Sequence, residues 1–207
     1  MKKKYIIFIG IIIYSFYYCN AQVLPTILDK NNQKIKEIAS TVDEAGWVYL
    51  KKEKKFKADI IFLTYKEAFG LGKNDEMKLV KKMTDDIKMN HYTFQQYYKG
   101  LLVEHFTYRI HEKDDIAEIA NGELLENLNL NTIPSLNSEK ALEIALSYFK
   151  SERWAWEDKD WENEKKRDKE NPTWKPKGEL MIIDHLVGGV RNGVLVYKFE
   201  LRSIKPN

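Results

Sequence analysis

Four histidines, His91, His105, His111 and His185, are the side chains of this sequence best suited to proton or metal chemistry near neutral pH. A hydrolytic zinc site needs His-Glu-x-x-His, because two histidines four apart on a helix share a face while the glutamate activates water. His111-Glu112 begins that pattern, but Asp115 stands where the second histidine belongs. The pair also falls at a predicted strand-to-turn junction, where positions four apart do not line up. Asp114-Asp115 lacks the ligand series of a calcium loop and reads as a polar hairpin tip. No metal site follows from these residues.

Nucleophilic arrangements are missing as well. There is no Gly-x-Ser-x-Gly, and Cys19 is the only cysteine. Glu157, Asp158, Asp160 and Glu162 are numerous enough for acid–base work but lie in a mixed-charge run. A solvated run does not supply the desolvated pocket that shifts a catalytic carboxylate. Gly188-Gly189 sits between predicted strands and makes a turn rather than a phosphate cradle. Tyr92, Phe94, Tyr97 and Tyr98, near bases, could stack on single-stranded nucleic acid. Alternation instead puts Tyr92, Phe94, Gln96 and Tyr98 on one face of a strand and Thr93, Gln95 and Tyr97 on the other. The sequence thus offers no catalytic residue, no metal ligand set and no cofactor motif.

The elements that would carry any site follow from pattern. Lys2, Lys3 and Lys4 precede an apolar run at 5–18, about 14 residues where a membrane span needs about 20. Residues 1–21 therefore read as a cleavable secretory signal, cut after Ala21, with no stable membrane anchor left afterwards. The three leader lysines account for the whole net charge of +3. The mature part is neutral, which argues against a nucleic-acid partner. Cys19 leaves with the leader, so burial rather than disulfides must hold the fold.

Residues 22–57 form a lysine-rich polar segment that encloses Trp47, Val48, Tyr49 and Leu50. Met77, Leu79, Val80 and Met83, which fall on one side at three- and four-residue spacings, predict a helix over 75–89. Strands are predicted at 91–98 and 101–111 around Lys99-Gly100, then at 116–120 after a turn at 112–115. Asn121-Gly122 predicts a further hairpin turn, with 124–130 continuing the meander. A second helix is expected after Asn137 as N-cap, with Leu136 stapling Ala141. Its apolar face would be Ala141, Leu142, Ala145, Tyr148 and Phe149. The insert at 154–177 is charged, yet its four tryptophans predict that part of it docks. A last hairpin is expected from 178–186 and 194–201, with turns at Gly188-Gly189 and Asn192-Gly193. The fold class is α+β: two successive helix-on-antiparallel-sheet units, the second short of its closing strands.

The phrase Tyr92-x-Phe94-Gln95-Gln96-x-Tyr98-x-Gly100-x-x-Val103, with Tyr65–Gly72 before it and Asn121-Gly122 after it, resembles the fungalysin/thermolysin propeptide (FTP) domain. The looser Ser138–Ala145 and Trp174–Leu180 resemble a PepSY-type domain following it. The pattern departs from the family at Thr93, where arginine is usual, at His105, where glycine is common, and at Asp114-Asp115, which replaces a glycine turn. It also departs at 201–207, before the closing strands of a full PepSY domain. The resemblance implies 58–131 as the propeptide domain and 132–207 as a partial PepSY-like domain. It further implies a secreted, non-enzymatic protein that aids the folding of a thermolysin-like zinc metalloprotease catalytic domain, or inhibits it, by protein–protein contact. The expected contact residues are Tyr92, Phe94, Gln95, Gln96 and Tyr98. Two other readings stay open: an inactive N-terminal fragment of a truncated or split protease precursor, and a free-standing extracellular binding module.

Overall fold

The computed structural model describes residues 7–9, 33–187 and 190–206. Most of the expected leader, its cleavage site and the Gly188-Gly189 turn lie outside the described residues. The chain divides into two units, Phe16–Thr132 with Ile182–Val194, and Met1–Ser15 with Ile133–Met181 and Leu195–Asn207. The fold is α+β, with helices and a mixed sheet.

The first elements in chain order are β1 (Ile7–Ile9), α1 (Gln33–Ile38), β2 (Ala39–Val42), β3 (Val48–Leu50), α2 (Ile61–Tyr65), β4 (Asp75–Thr84), β5 (Asn90–Tyr98), β6 (Leu101–Lys113) and β7 (Ile116–Gly122). In the larger unit the strands lie in the order β4-β5-β6-β7-β3-β2, all antiparallel. Residues Val48–Leu50, expected in a polar segment outside the domain, are thus strand β3 of this sheet. At Val103↔Ile182 a parallel neighbour joins β6.

Strict alternation along β5 buries Tyr92, Phe94, Gln96 and Tyr98 and leaves His91, Thr93, Gln95 and Tyr97 on the opposite side. On the inner side Phe62 of α2 meets Phe94 at 5.0 Å, Phe69 at 4.9 Å and Tyr108 at 6.0 Å between ring centroids. Ile35 and Ile38 of α1, Ile110, Val48, Leu50 and Leu124 complete this core. Each large apolar side chain buried there contributes about 1.5–3 kcal/mol.

The helix expected over 75–89 is replaced by strand β4 and a turn. A bulge explains the misleading period. Met77 and Leu79 pair opposite Gln96 and Phe94, but the register shifts between Leu79 and Lys81, so Met83 pairs with His91 on the other face. One extra residue in a strand converts a spacing of two into one that imitates a helix. Asp85 then closes the β4–β5 turn, its Oδ1 accepting from the N–H groups of Ile87 and Met89 at 3.1 and 2.8 Å.

The Lys99-Gly100 turn and the β6–β7 tip form as expected. Each has positive φ at both central residues: 47° and 81° at the first, 48° and 61° at Asp114 and Asp115. That is the twist-matched two-residue hairpin geometry. Asn121-Gly122, expected as another hairpin turn, instead ends β7 opposite Arg109 and Tyr108. A Cβ on Gly122 would lie 2.4 Å from the Thr107 carbonyl oxygen, so only glycine fits that close crossing. Residues 124–130 are not a strand. Their backbone groups are taken up elsewhere: the N–H and C=O of Leu125 both bond the Gln96 amide, at 2.9 Å each.

In the second unit α3 (Ser138–Tyr148) starts where Asn137 predicts, the Asn137 Oδ1 accepting from Lys140 N at 2.8 Å. No residue of α3 is buried, and Tyr148, expected on its apolar face, is 70% exposed. β8 (Ser151–Trp154), α4 (Lys159–Lys165) and β11 (Ser203–Pro206) follow in this unit, while β9 (Glu179–Val187) has residues 182–187 and β10 (Val190–Glu200) residues 190–194 in the larger one. β8 and β11 pair as a separate two-stranded sheet, while β1 pairs with the end of β10. Asn192-Gly193, expected as a turn, lies within β10. The tryptophans of the charged insert do dock: Trp154 stacks on Trp156 at 5.0 Å, and Arg202 lies 5.0 Å from the Trp161 ring and 4.2 Å from that of Trp174. Among the described residues no helix is long and apolar enough to cross a membrane.

Candidate functional site

A sheet packed on one side presents the other as its working surface. In the larger unit that surface is drawn from alternate residues of five strands and the segment before β3. It comprises Lys78, Lys81 and Met83 on β4, His91, Thr93, Gln95 and Tyr97 on β5, Thr107, Arg109 and His111 on β6, Ile119 and Asn121 on β7, and Tyr49 with Trp47 at β3. Trp47, Tyr49 and Met83 are exposed large apolar groups on it. Lys78 lies 4.3 Å over the Tyr97 ring and within 3.4 Å of Glu76, and Arg109 is exposed. The surface is thus aromatic and basic.

Four of the five expected contact residues lie away from the open side. Tyr92, Phe94, Gln96 and Tyr98 turn inward, and Gln96 is fully buried. Alternation put them on one face; it could not say which face the helices cover. Gln96 is an internal clamp. Its Nε2 donates to Asp75 Oδ1 at 3.0 Å and to the Leu125 carbonyl at 2.9 Å, and its Oε1 accepts from Leu125 N. Asp75 Oδ2 accepts from Gly72 N at 2.8 Å. Burial pushes the Asp75 carboxyl above the usual carboxylate range, against the pull of those hydrogen bonds.

Gln95 is half-buried on the open side, and its amide is spent on its own strand pair. The register of β5 and β6 passes from Tyr97↔Leu102 to Gln95↔Thr107, which leaves three extra residues in β6. The Gln95 Nε2 donates to the carbonyls of Val103 and Phe106 at 2.7 and 2.9 Å, on either side of that bulge. His105 sits inside it at φ 68°, the conformation for which glycine is best suited.

The bulge has a consequence that the sequence hides: it brings His91 opposite His111. Without the three extra residues, the Lys99-Gly100 turn would set His91 against Tyr108. Their Nδ1 atoms are 2.7 Å apart. His91 Nε2 lies 3.0 Å from Asp85 Oδ2, and His111 Nε2 lies 2.8 Å from Asn121 Oδ1. Trp47 stacks on the His111 ring at 5.9 Å, 12° from parallel. Burial lowers the His111 pKa below the ordinary histidine value. The Met89 N–H, followed by the His91 ring, holds the Asp85 carboxyl below the usual range. Beneath this chain, on the inner side, Glu112 accepts from the Tyr92 hydroxyl at 2.9 Å and from Ala58 N at 3.0 Å.

These groups bind one another and hold the sheet in shape. Among the described residues no three His, Cys, Asp or Glu side chains are grouped as a metal would require. Trp47, Asp85, His91, His111 and Asn121 were not singled out as one group from sequence, because their meeting depends on the bulge and on β3 joining β7.

Residues 75–124 match the family model of the Fungalysin/Thermolysin Propeptide Motif. The match covers β4 to β7, the connecting turns and the first residues of the loop beyond. That model describes a propeptide motif and not a catalytic domain. No curated protein matches the chain.

Proposed function

We propose that this protein is a secreted, pro-region-like partner of a thermolysin-type zinc metalloprotease, acting on the catalytic domain as folding aid, inhibitor or both, and carrying no catalytic activity of its own. The observation that carries the reading is the propeptide-motif match over 75–124, which coincides with the four strands bearing both the aromatic core and the open face. A preformed sheet suits that role. It offers an ordered surface at little conformational cost, so a partner whose native state it binds is stabilised by mass action.

The contact is assigned to the open face, with Tyr49, Met83, Lys81 and Arg109 exposed on it and Trp47 at its rim. Tyr92, Phe94, Gln96 and Tyr98 then serve the contact from behind, by fixing the sheet, and Gln95 by fixing the β6 bulge. We take 58–131 as the propeptide-like domain, with β2 and β3 added to its edge. We take 132–207 as a partial PepSY-like domain carrying the insert 154–177. The leader at 1–21 accounts for export.

Titrating the purified chain into an active thermolysin-type protease, with peptide hydrolysis as readout, tests the proposal. Saturable inhibition, or faster recovery of activity when the denatured protease refolds with the chain present, is the expected result. A folded chain that does neither removes the proposal and leaves a precursor fragment or an unrelated binding module.

A further inference from the structure

We infer that His91 and His111 hold a single proton between them, and that acid, by forcing a second proton onto the pair, loosens the open face of the sheet. The outer nitrogens of both rings face acceptors, Asp85 Oδ2 for His91 and Asn121 Oδ1 for His111. Each Nε2 therefore carries a hydrogen. The two Nδ1 atoms, 2.7 Å apart, are joined by one further hydrogen.

A second proton between the rings breaks this chain, because two N–H groups then point head to head across the 2.7 Å gap. Water cannot relieve that case easily, since His111 is 8% exposed beneath Trp47.

The charged groups turned toward the pair are Asp85 from the β4–β5 turn, Arg109 two positions along β6, and Lys81 on β4; the remaining neighbours are Met83, Ile119, Asn121 and Trp47. Asp85 favours protonation of His111 and Arg109 opposes it. The lowered His111 pKa agrees with the count.

The sign follows. A histidine depressed in the folded state binds fewer protons there than in the unfolded chain. Its stabilising effect is full above the unfolded value of about 6.5 and is lost as pH falls through that value toward the folded one. Separation of the rings frees Trp47 from its stack and the Asp85 turn from its anchor. If this face carries the proposed protease contact, acid weakens that contact; that clause alone rests on the functional reading.

Urea unfolding of the full chain and of its His111→Gln variant at pH 7 and pH 5 tests the inference without any protease. Glutamine keeps hydrogen-bonding capacity and cannot titrate. The folding constant of the unmodified chain should fall relative to the variant over that interval, by up to the roughly 25-fold that an unfolded pKa of about 6.5 allows. Equal pH dependence of the two would overturn the inference. Should the variant not fold, imidazole nitrogen spectra of the unmodified protein at pH 7 decide the matter. Both Nε2 atoms should be protonated, with one proton shared by the Nδ1 pair; a deprotonated Nε2 on either ring would overturn it. A failed protease assay beside a positive result here would count against the functional reading only.

Discussion

In the larger unit the rings of Phe62, Phe69, Phe94 and Tyr108 meet edge to face inside the sheet, all buried. In the smaller unit Trp154, Trp156, Trp161 and Trp174 are only half-buried, and they stack on one another and on the cations of Arg202 and Lys165. The first arrangement gains chiefly by removing apolar area from water. The second gains from cation–π contacts, worth about 0.5–2 kcal/mol each according to exposure. The difference teaches where a recognition surface can be sustained. A sheet whose stability is anchored on one face can leave histidines, a tryptophan and an arginine on the other, where they add to stability without supplying most of it.

Five substitutions probe that contrast. Phe94→Ala, in the core, should cost about 3–5 kcal/mol in urea unfolding, whereas Trp174→Ala should cost far less, and a comparable loss from both would erase the distinction. Gln96→Ala strands Asp75 and both backbone groups of Leu125, so a loss of about 2–3 kcal/mol is expected, with faster amide exchange at Leu125. In the other unit Asn137→Ala should cost about 1 kcal/mol, seen as fraying of α3 by amide exchange with the larger sheet unaffected. The smallest effect, of opposite sign, is expected at the bulge. His105→Gly relieves a side chain held at φ 68° and should raise stability by about 0.5 kcal/mol after the extra unfolded-state entropy of glycine.

Much of the sheet was legible because its signals are local. Alternation gave the inner and outer residues of β5, Lys99-Gly100 gave the hairpin, and Asn137 gave the start of α3. The errors share a cause in long-range pairing. The bulge at Val80 lent β4 a helical period, and the backbone groups of 124–130 found a partner in Gln96 instead of a strand. Which face of β5 is covered depends on α2 and the turn after it, so the five residues expected at a partner surface proved to be four core residues and a bulge clamp. The histidine chain was hidden for the same reason. Only the departure at His105 from the glycine of the resembling family hinted at the bulge that aligns His91 with His111.

Under the proposed function the open face of the 75–124 sheet engages a thermolysin-type catalytic domain. The most direct measurement is the inhibition constant of the unmodified chain against that of a Lys81→Glu, Arg109→Glu double variant, both shown to unfold at the same urea concentration. Both residues are exposed, so the fold should be unchanged and inhibition weakened by about tenfold or more. Equal inhibition by the two proteins would contradict the assignment to this face, and no inhibition by either, with no faster recovery of the refolding protease, would contradict the protease partnership itself.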